Sequence, residues 1–147
     1  MNLLLILCLM FSIDSGNPDL STCRKLYLRA ASEKTKAEEL MNLTANPGED
    51  ALITGYQGAV RMVMARYYFN PIAKWKSFAR GRDILESAVR SQPGNPELRY
   101  LRLSIQENAP SFLGYHEHQE EDKSFLNHEL IHIHDAELRQ MIFDYLY

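Results

Sequence analysis

The Asn-Pro steps at residues 46–47, 70–71 and 95–96 constrain this chain more than any other feature. Proline fits the first turn of a helix and disrupts one further in, because it lacks an N–H and its ring crowds the preceding turn. An asparagine just before it offers a side-chain oxygen to the free N–H groups of the helix that follows. Each step therefore closes one helix and opens another. Between the steps the apolar residues recur at intervals of three, four and seven, and no stretch sustains the alternation of a β-strand. These features predict an all-α fold of five to six antiparallel helices, paired as hairpins stacked side by side.

The first helix is expected to start near Asp19 or Ser21 and to run through Leu26, Ala30, Ala37, Leu40 and Leu43 as one amphipathic element. Asn46, Pro47, Gly48 and Glu49 read as a helix start, with a second helix from Glu49 to Phe69 whose centre, Tyr56 to Phe69, is the most buried part. Asn70 and Pro71 end it. A third helix covers Ile72 to Ser91, with Trp75, Phe78, Ile84, Leu85, Ala88 and Val89 on its inner side. Pro93, Gly94, Asn95 and Pro96 lead into a fourth, Pro96 to Glu107. Ser111 to Tyr115 should form an ordered turn, and one or two closing helices take Lys123 to Tyr147.

With 147 residues and a hydrophobic fraction of 46% the chain has room for one core. Met1 to Ile13 form an apolar run with the length of a signal-peptide core, too short to span a bilayer, so residues 1–16 are expected to be an export signal and residues 17–147 a single helical domain. The protein is then periplasmic or extracellular and not an integral membrane protein. Cys8 is not expected to be a lipid-anchor site, because Leu7 stands where that processing wants a small residue and the position is very early, with a lipoprotein as the minor alternative. Loss of the signal removes Cys8 and leaves Cys23 without a disulfide partner, so stability rests on packing. The net charge is −3 and the lysines and arginines read as interleaved with acids, which excludes nucleic acid as the expected partner.

Phe78, Gly81, Leu85, Ala88 and Pro93 follow the spacing of the second helix of a tetratricopeptide repeat, and Pro93, Asn95 and Glu97 stand in its turn before Tyr100 and Leu101. Residues 78–101 resemble that family, which implies helical hairpins held close by small residues such as Gly81 and Ala88. The preceding helix offers Gly58 and Ala59 but lacks the family's aromatic and leucine, so the likeness is to a degenerate repeat. Phe69 to Ile72, Glu97 to Gln106 and Phe112 to Tyr115 also resemble a family of small exported Bacteroidetes proteins, which implies an envelope location and an all-helical fold, with no activity attached.

His128, Glu129, Leu130, Ile131 and His132 match the H-E-x-x-H pattern, in which two histidines one helical turn apart hold zinc and the glutamate serves as general base. Catalysis needs a third protein ligand, yet the chain continues only fifteen residues past His132, and Asp135 and Leu138 stand where the longer signature wants glycine and histidine. Ser124, His128, His132, Asp135 and Arg139 fall on one stripe and Leu126, Leu130 and Ile133 on another, the pattern of a solvated helix face. His116, Glu117 and His118 are nearby candidates for further ligands. No metal or other cofactor is therefore expected, with zinc on His128 and His132 as the alternative. Tyr67 and Trp75 belong to an aromatic cluster around Asn70-Pro71 that also includes Tyr68, Phe69 and Phe78, a candidate ligand-binding groove whose competing reading is core. Arg80, Arg82, Arg99 and Arg102 are candidates to line a groove for an acidic peptide, the competing arrangement being pairs with Asp83, Glu86 and Glu97. The function expected is non-enzymatic binding of a protein or peptide; the alternatives are a zinc-dependent hydrolase and a non-catalytic metal-binding protein.

Overall fold

The computed structural model describes residues 16–147; the expected export signal, residues 1–16, lies almost wholly outside them. The described residues are all-helical, without a strand, and form seven α-helices: α1 (Leu20–Ala30), α2 (Lys34–Leu43), α3 (Ala51–Met64), α4 (Pro71–Ser91), α5 (Pro96–Asn108), α6 (Gln119–Glu129) and α7 (Ala136–Leu146). Seven replaces the expected five to six because the first expected helix is two. After Ala30 the Arg29 carbonyl accepts the N–H of both Ser32 and Glu33 and the Ser32 hydroxyl, which turns the chain before α2 without glycine or proline. No helix among the described residues is long and apolar enough to cross a membrane.

Asparagine and aspartate fix most of the starts. Asp19, Asp50, Asn70, Asn95 and Asp135 each accept backbone N–H groups of the first turn they precede. At the Asn46-Pro47 step the cap is not Asn46: the chain turns through Gly48, at φ +58°, and α3 begins at Ala51 behind Asp50. The helix expected to reach Phe69 stops at Met64 and tightens into a 3₁₀ turn, Ala65–Tyr67.

The helices pair as α1 with α2, α3 with α4 and α5 with α6, and α3 packs on α1, α2 and α5. The α3–α4 pair is the closest. Gly58 and Gly81 face each other there, and a Cβ built on Gly81 would lie 2.6 Å from the Gly58 carbonyl oxygen and 2.9 Å from the Met62 amide nitrogen. Ser77 donates to the Arg61 carbonyl at one end of this pair, and Gly55 lies opposite Ala88 at the other, which makes the two helices antiparallel. Around them Tyr56, Leu40, Ile53, Leu85, Leu98, Leu101, Leu103, Leu126 and Ile142 are completely buried and form the core.

Candidate functional site

Arg99 and Arg102 lie on α5 beside α6 and are committed to the protein itself. Arg102 is buried and forks onto Asp122, its Nε and a terminal nitrogen donating at 2.7 and 2.8 Å, with a further contact of 3.1 Å to Glu86. Arg99 donates to the same Asp122 at 2.7 Å and to Glu121, and its guanidinium stacks over the Phe125 ring. Tyr115 donates to Glu86 from the ordered turn, so one network joins α4, α5, α6 and that turn. Burial, then the Glu86 carboxylate, raises the Tyr115 hydroxyl above its ordinary range. Arg99 and Arg102 thus turn toward Asp122, Glu86, Glu121 and the Pro93 carbonyl, the paired arrangement, rather than standing free along a groove. Arg82 sits 3.5 Å from Asp83, as the competing arrangement proposed, whereas Glu97 pairs with Arg24.

The His128–His132 segment does not form one helix. Helix α6 ends at Glu129 and Leu130–His132 is a 3₁₀ turn, after which Asp135 caps α7. The stripe from Ser124 to Arg139 is thus broken: His128 belongs to the end of α6, while Asp135 and Arg139 belong to a different element. The two imidazole rings still stand 5.8 Å apart, both exposed, with His128 Nδ1 against the Glu129 carboxylate. Among the described residues no group of three or more His, Cys, Asp or Glu side chains converges as metal ligands. His118 instead contacts Glu121, and His116 is exposed.

The aromatic cluster divides. Phe78 is buried against Tyr115 edge to face, and Tyr67 is half-buried, donating to the Ala30 carbonyl. Trp75, expected on the inner side of its helix, is 64% exposed, and Phe69 is completely exposed. The inner line of α4 runs through Phe78, Gly81, Leu85 and Ala88; helix α3 stops at Met64, and Ile72 and Trp75 near the start of α4 stand exposed. Arg80 is also exposed, one turn further along. The expected interleaving of charge fails here. Residues 51–82 hold six of the chain's 16 lysines and arginines and none of its 19 acids.

A buried ion cluster centred on Arg24 is not legible from local sequence pattern. Arg24 on α1, 4% exposed, forks onto Glu97 on α5 at 2.8 and 2.7 Å, and the Tyr56 hydroxyl of α3 donates to the same carboxylate at 2.5 Å. Burial, then the Glu97 charge, holds the Tyr56 hydroxyl well above its usual range. The remaining Arg24 nitrogen reaches Asp135 and Glu137 at 2.9 Å each, and Ser21 donates to Glu137, so α7 is fastened to α1 by charge. At its other end Tyr145 donates to Glu107 and packs edge-on against Tyr100.

The attachment of α7 is expected to weaken in acid. Asp135 lies below its ordinary 3.8, chiefly because the Leu138 N–H donates to it; Glu137 lies below its ordinary 4.5, chiefly through the Ser21 hydroxyl and then Arg24. Depressed carboxylates stabilise the fold above their ordinary values, and that contribution disappears as pH falls through the lower folded values. Hydrogen exchange in α7 should therefore accelerate, relative to α3, as the pH is lowered from neutral to about 3. Equal protection ratios at both pH values would show that charge does not fasten α7.

Two open clefts flank α7. One, of about 290 Å³, is lined by Leu130, Ile131, Arg139, Gln140 and Phe143. The other, of about 300 Å³, lies between α7 and α1, with Leu28 and Met141 as its apolar members. Ile131 is 81% exposed and Phe143 48%. Compared with protein-family models, with curated proteins and with solved structures, the chain matches none.

Proposed function

We propose that this chain is an exported, non-enzymatic helical module, a degenerate relative of tetratricopeptide-repeat hairpins, that binds a protein or peptide in the cleft beside α7. The repeat-like reading is supported by three successive hairpins in which α1, α3 and α5 pack in series and by the small-residue clasp of Gly58 on Gly81. The binding reading rests on one observation: Ile131 and Phe143, both exposed, line one cleft together with Leu130, Arg139 and Gln140. Apolar walls with a few polar groups suit an extended or helical segment carrying an apolar anchor. The zinc hydrolase is less well supported, since the H-E-x-x-H residues straddle a helix end and lack a third converging ligand.

The test is co-purification from envelope extracts of the native cell, comparing the wild type with Ile131→Asp and Phe143→Asp. Both side chains are largely exposed, so both variants should keep wild-type helicity and lose the co-purifying partner by about tenfold or more, as expected when an apolar anchor pocket becomes charged. Retention of the same partner by both variants would place the binding surface elsewhere and overturn the proposal.

A further inference from the structure

We infer that the α3–α4 end of the molecule is a docking surface for an anionic phospholipid bilayer, with Phe69, Ile72 and Trp75 entering the interface and Arg66, Lys74 and Lys76 meeting the lipid phosphates. This goes beyond the proposed peptide cleft and uses a different face.

The apolar part is a projection. Phe69 is 100% exposed, and Ile72 and Trp75, each 64% exposed, lie three residues apart in the first two turns of α4 and so share a face. No residue of this end lines either cleft beside α7. A peptide ligand needs a concavity to bury its anchors. An exposed aromatic, aliphatic and indole suit the bilayer interface instead, where tryptophan settles at headgroup depth and apolar side chains reach the acyl boundary.

The charge has the matching sign. Arg66, Lys74, Lys76 and Arg80 are all exposed, and among the described residues none of them forms an ion pair. The first acid beyond the Ala51–Arg82 stretch is Asp83, already beside Arg82. In a chain whose net charge is −3, the six cations and no acid between Ala51 and Arg82 give the α3–α4 hairpin a positive charge of its own, which favours its approach to an anionic surface. Each lysine or arginine near such a surface adds to partitioning, and an inserted apolar side chain adds a salt-insensitive part.

Trp75 is the only tryptophan and reports its own environment. Vesicles of phosphatidylglycerol mixed with phosphatidylcholine should carry the protein up in a flotation gradient and shift Trp75 emission to shorter wavelength; vesicles of phosphatidylcholine alone should do neither. The double variant Lys74→Glu, Lys76→Glu should lose about tenfold or more in partitioning. The double variant Phe69→Ser, Ile72→Ser should bind more weakly and lose the emission shift. All four side chains are exposed, so circular dichroism should confirm an unchanged fold, and Ile131→Asp should leave vesicle binding intact. Failure of the wild type to float with the anionic vesicles at low salt would overturn the inference. So would a Trp75 shift of equal size with polyglutamate, which would assign this end to acidic polypeptides.

Discussion

Replacing Gly81 by alanine should destabilise the protein by about 2 kcal/mol, even though alanine favours a helix over glycine by about 1 kcal/mol. The clash decides the sign. The added methyl carbon would lie 2.6 Å from the Gly58 carbonyl oxygen and 2.9 Å from the Met62 amide nitrogen, and backbone atoms cannot rotate away as a side chain would. Helices α3 and α4 must then separate, loosening Phe78, Leu85 and Ala88 along the same line. Gly58→Ala should act similarly, since its methyl would meet the Leu85 nitrogen at 2.5 Å and the Gly81 oxygen at 2.7 Å. Because both substitutions open one interface, their combined cost should fall short of the sum. Gly94→Ala is the control: nothing lies within 4 Å of its Cβ position and its φ is not positive, so it should be neutral or slightly stabilising. Urea denaturation of the four variants measures all of this. A Gly81→Ala protein as stable as Gly94→Ala would mean that the glycine pair does not set the approach of the two helices.

This clasp also shows which features the sequence made legible. Gly81 and Ala88 stood out through their spacing with Phe78 and Leu85, and Asn70 and Asn95 announced their helices, because capping chemistry is local and a proline beside it leaves little choice. The turn between α1 and α2 was hidden for the opposite reason. Ala31, Ser32 and Glu33 hold no glycine or proline, and both helices present small and aliphatic residues to one core, so the apolar rhythm of Ala30 and Ala37 passes through the break undisturbed. The His128–His132 segment misled in the same way: helical spacing was preserved across a 3₁₀ turn and a new cap at Asp135. Local pattern cannot reveal whether a neighbouring helix extends far enough to cover a residue, which is why Trp75 read as inward and emerged exposed. Nor can it join Arg24 to Glu97, which lie 73 residues apart; each looks like an ordinary surface charge until α1 and α5 are brought together over Tyr56.

That buried pair should be costly to break and cheap to remove. In Glu97→Ala, Arg24 keeps its exposed partners Asp135 and Glu137 but loses both contacts to the buried carboxylate, and the Tyr56 hydroxyl loses its acceptor among the described residues. Stranding a buried charge in this way costs about 3–5 kcal/mol, a large share of the stability of a domain of this size. Glu97 also lies in the first turn of α5, where its negative charge favours the helix, so alanine removes that contribution as well. The triple variant Arg24→Met, Glu97→Met, Tyr56→Phe removes every member of the cluster and fills the space with apolar atoms. It should recover most of the loss, because the attraction within a buried pair is largely offset by the cost of dehydrating its charges. Its α7 should still exchange faster than in the wild type, since Asp135 and Glu137 no longer meet Arg24. Urea titrations at neutral pH distinguish the outcomes. If the triple variant is no more stable than Glu97→Ala, the cluster contributes net stability of its own and is more than a device that holds α1, α3 and α5 in register.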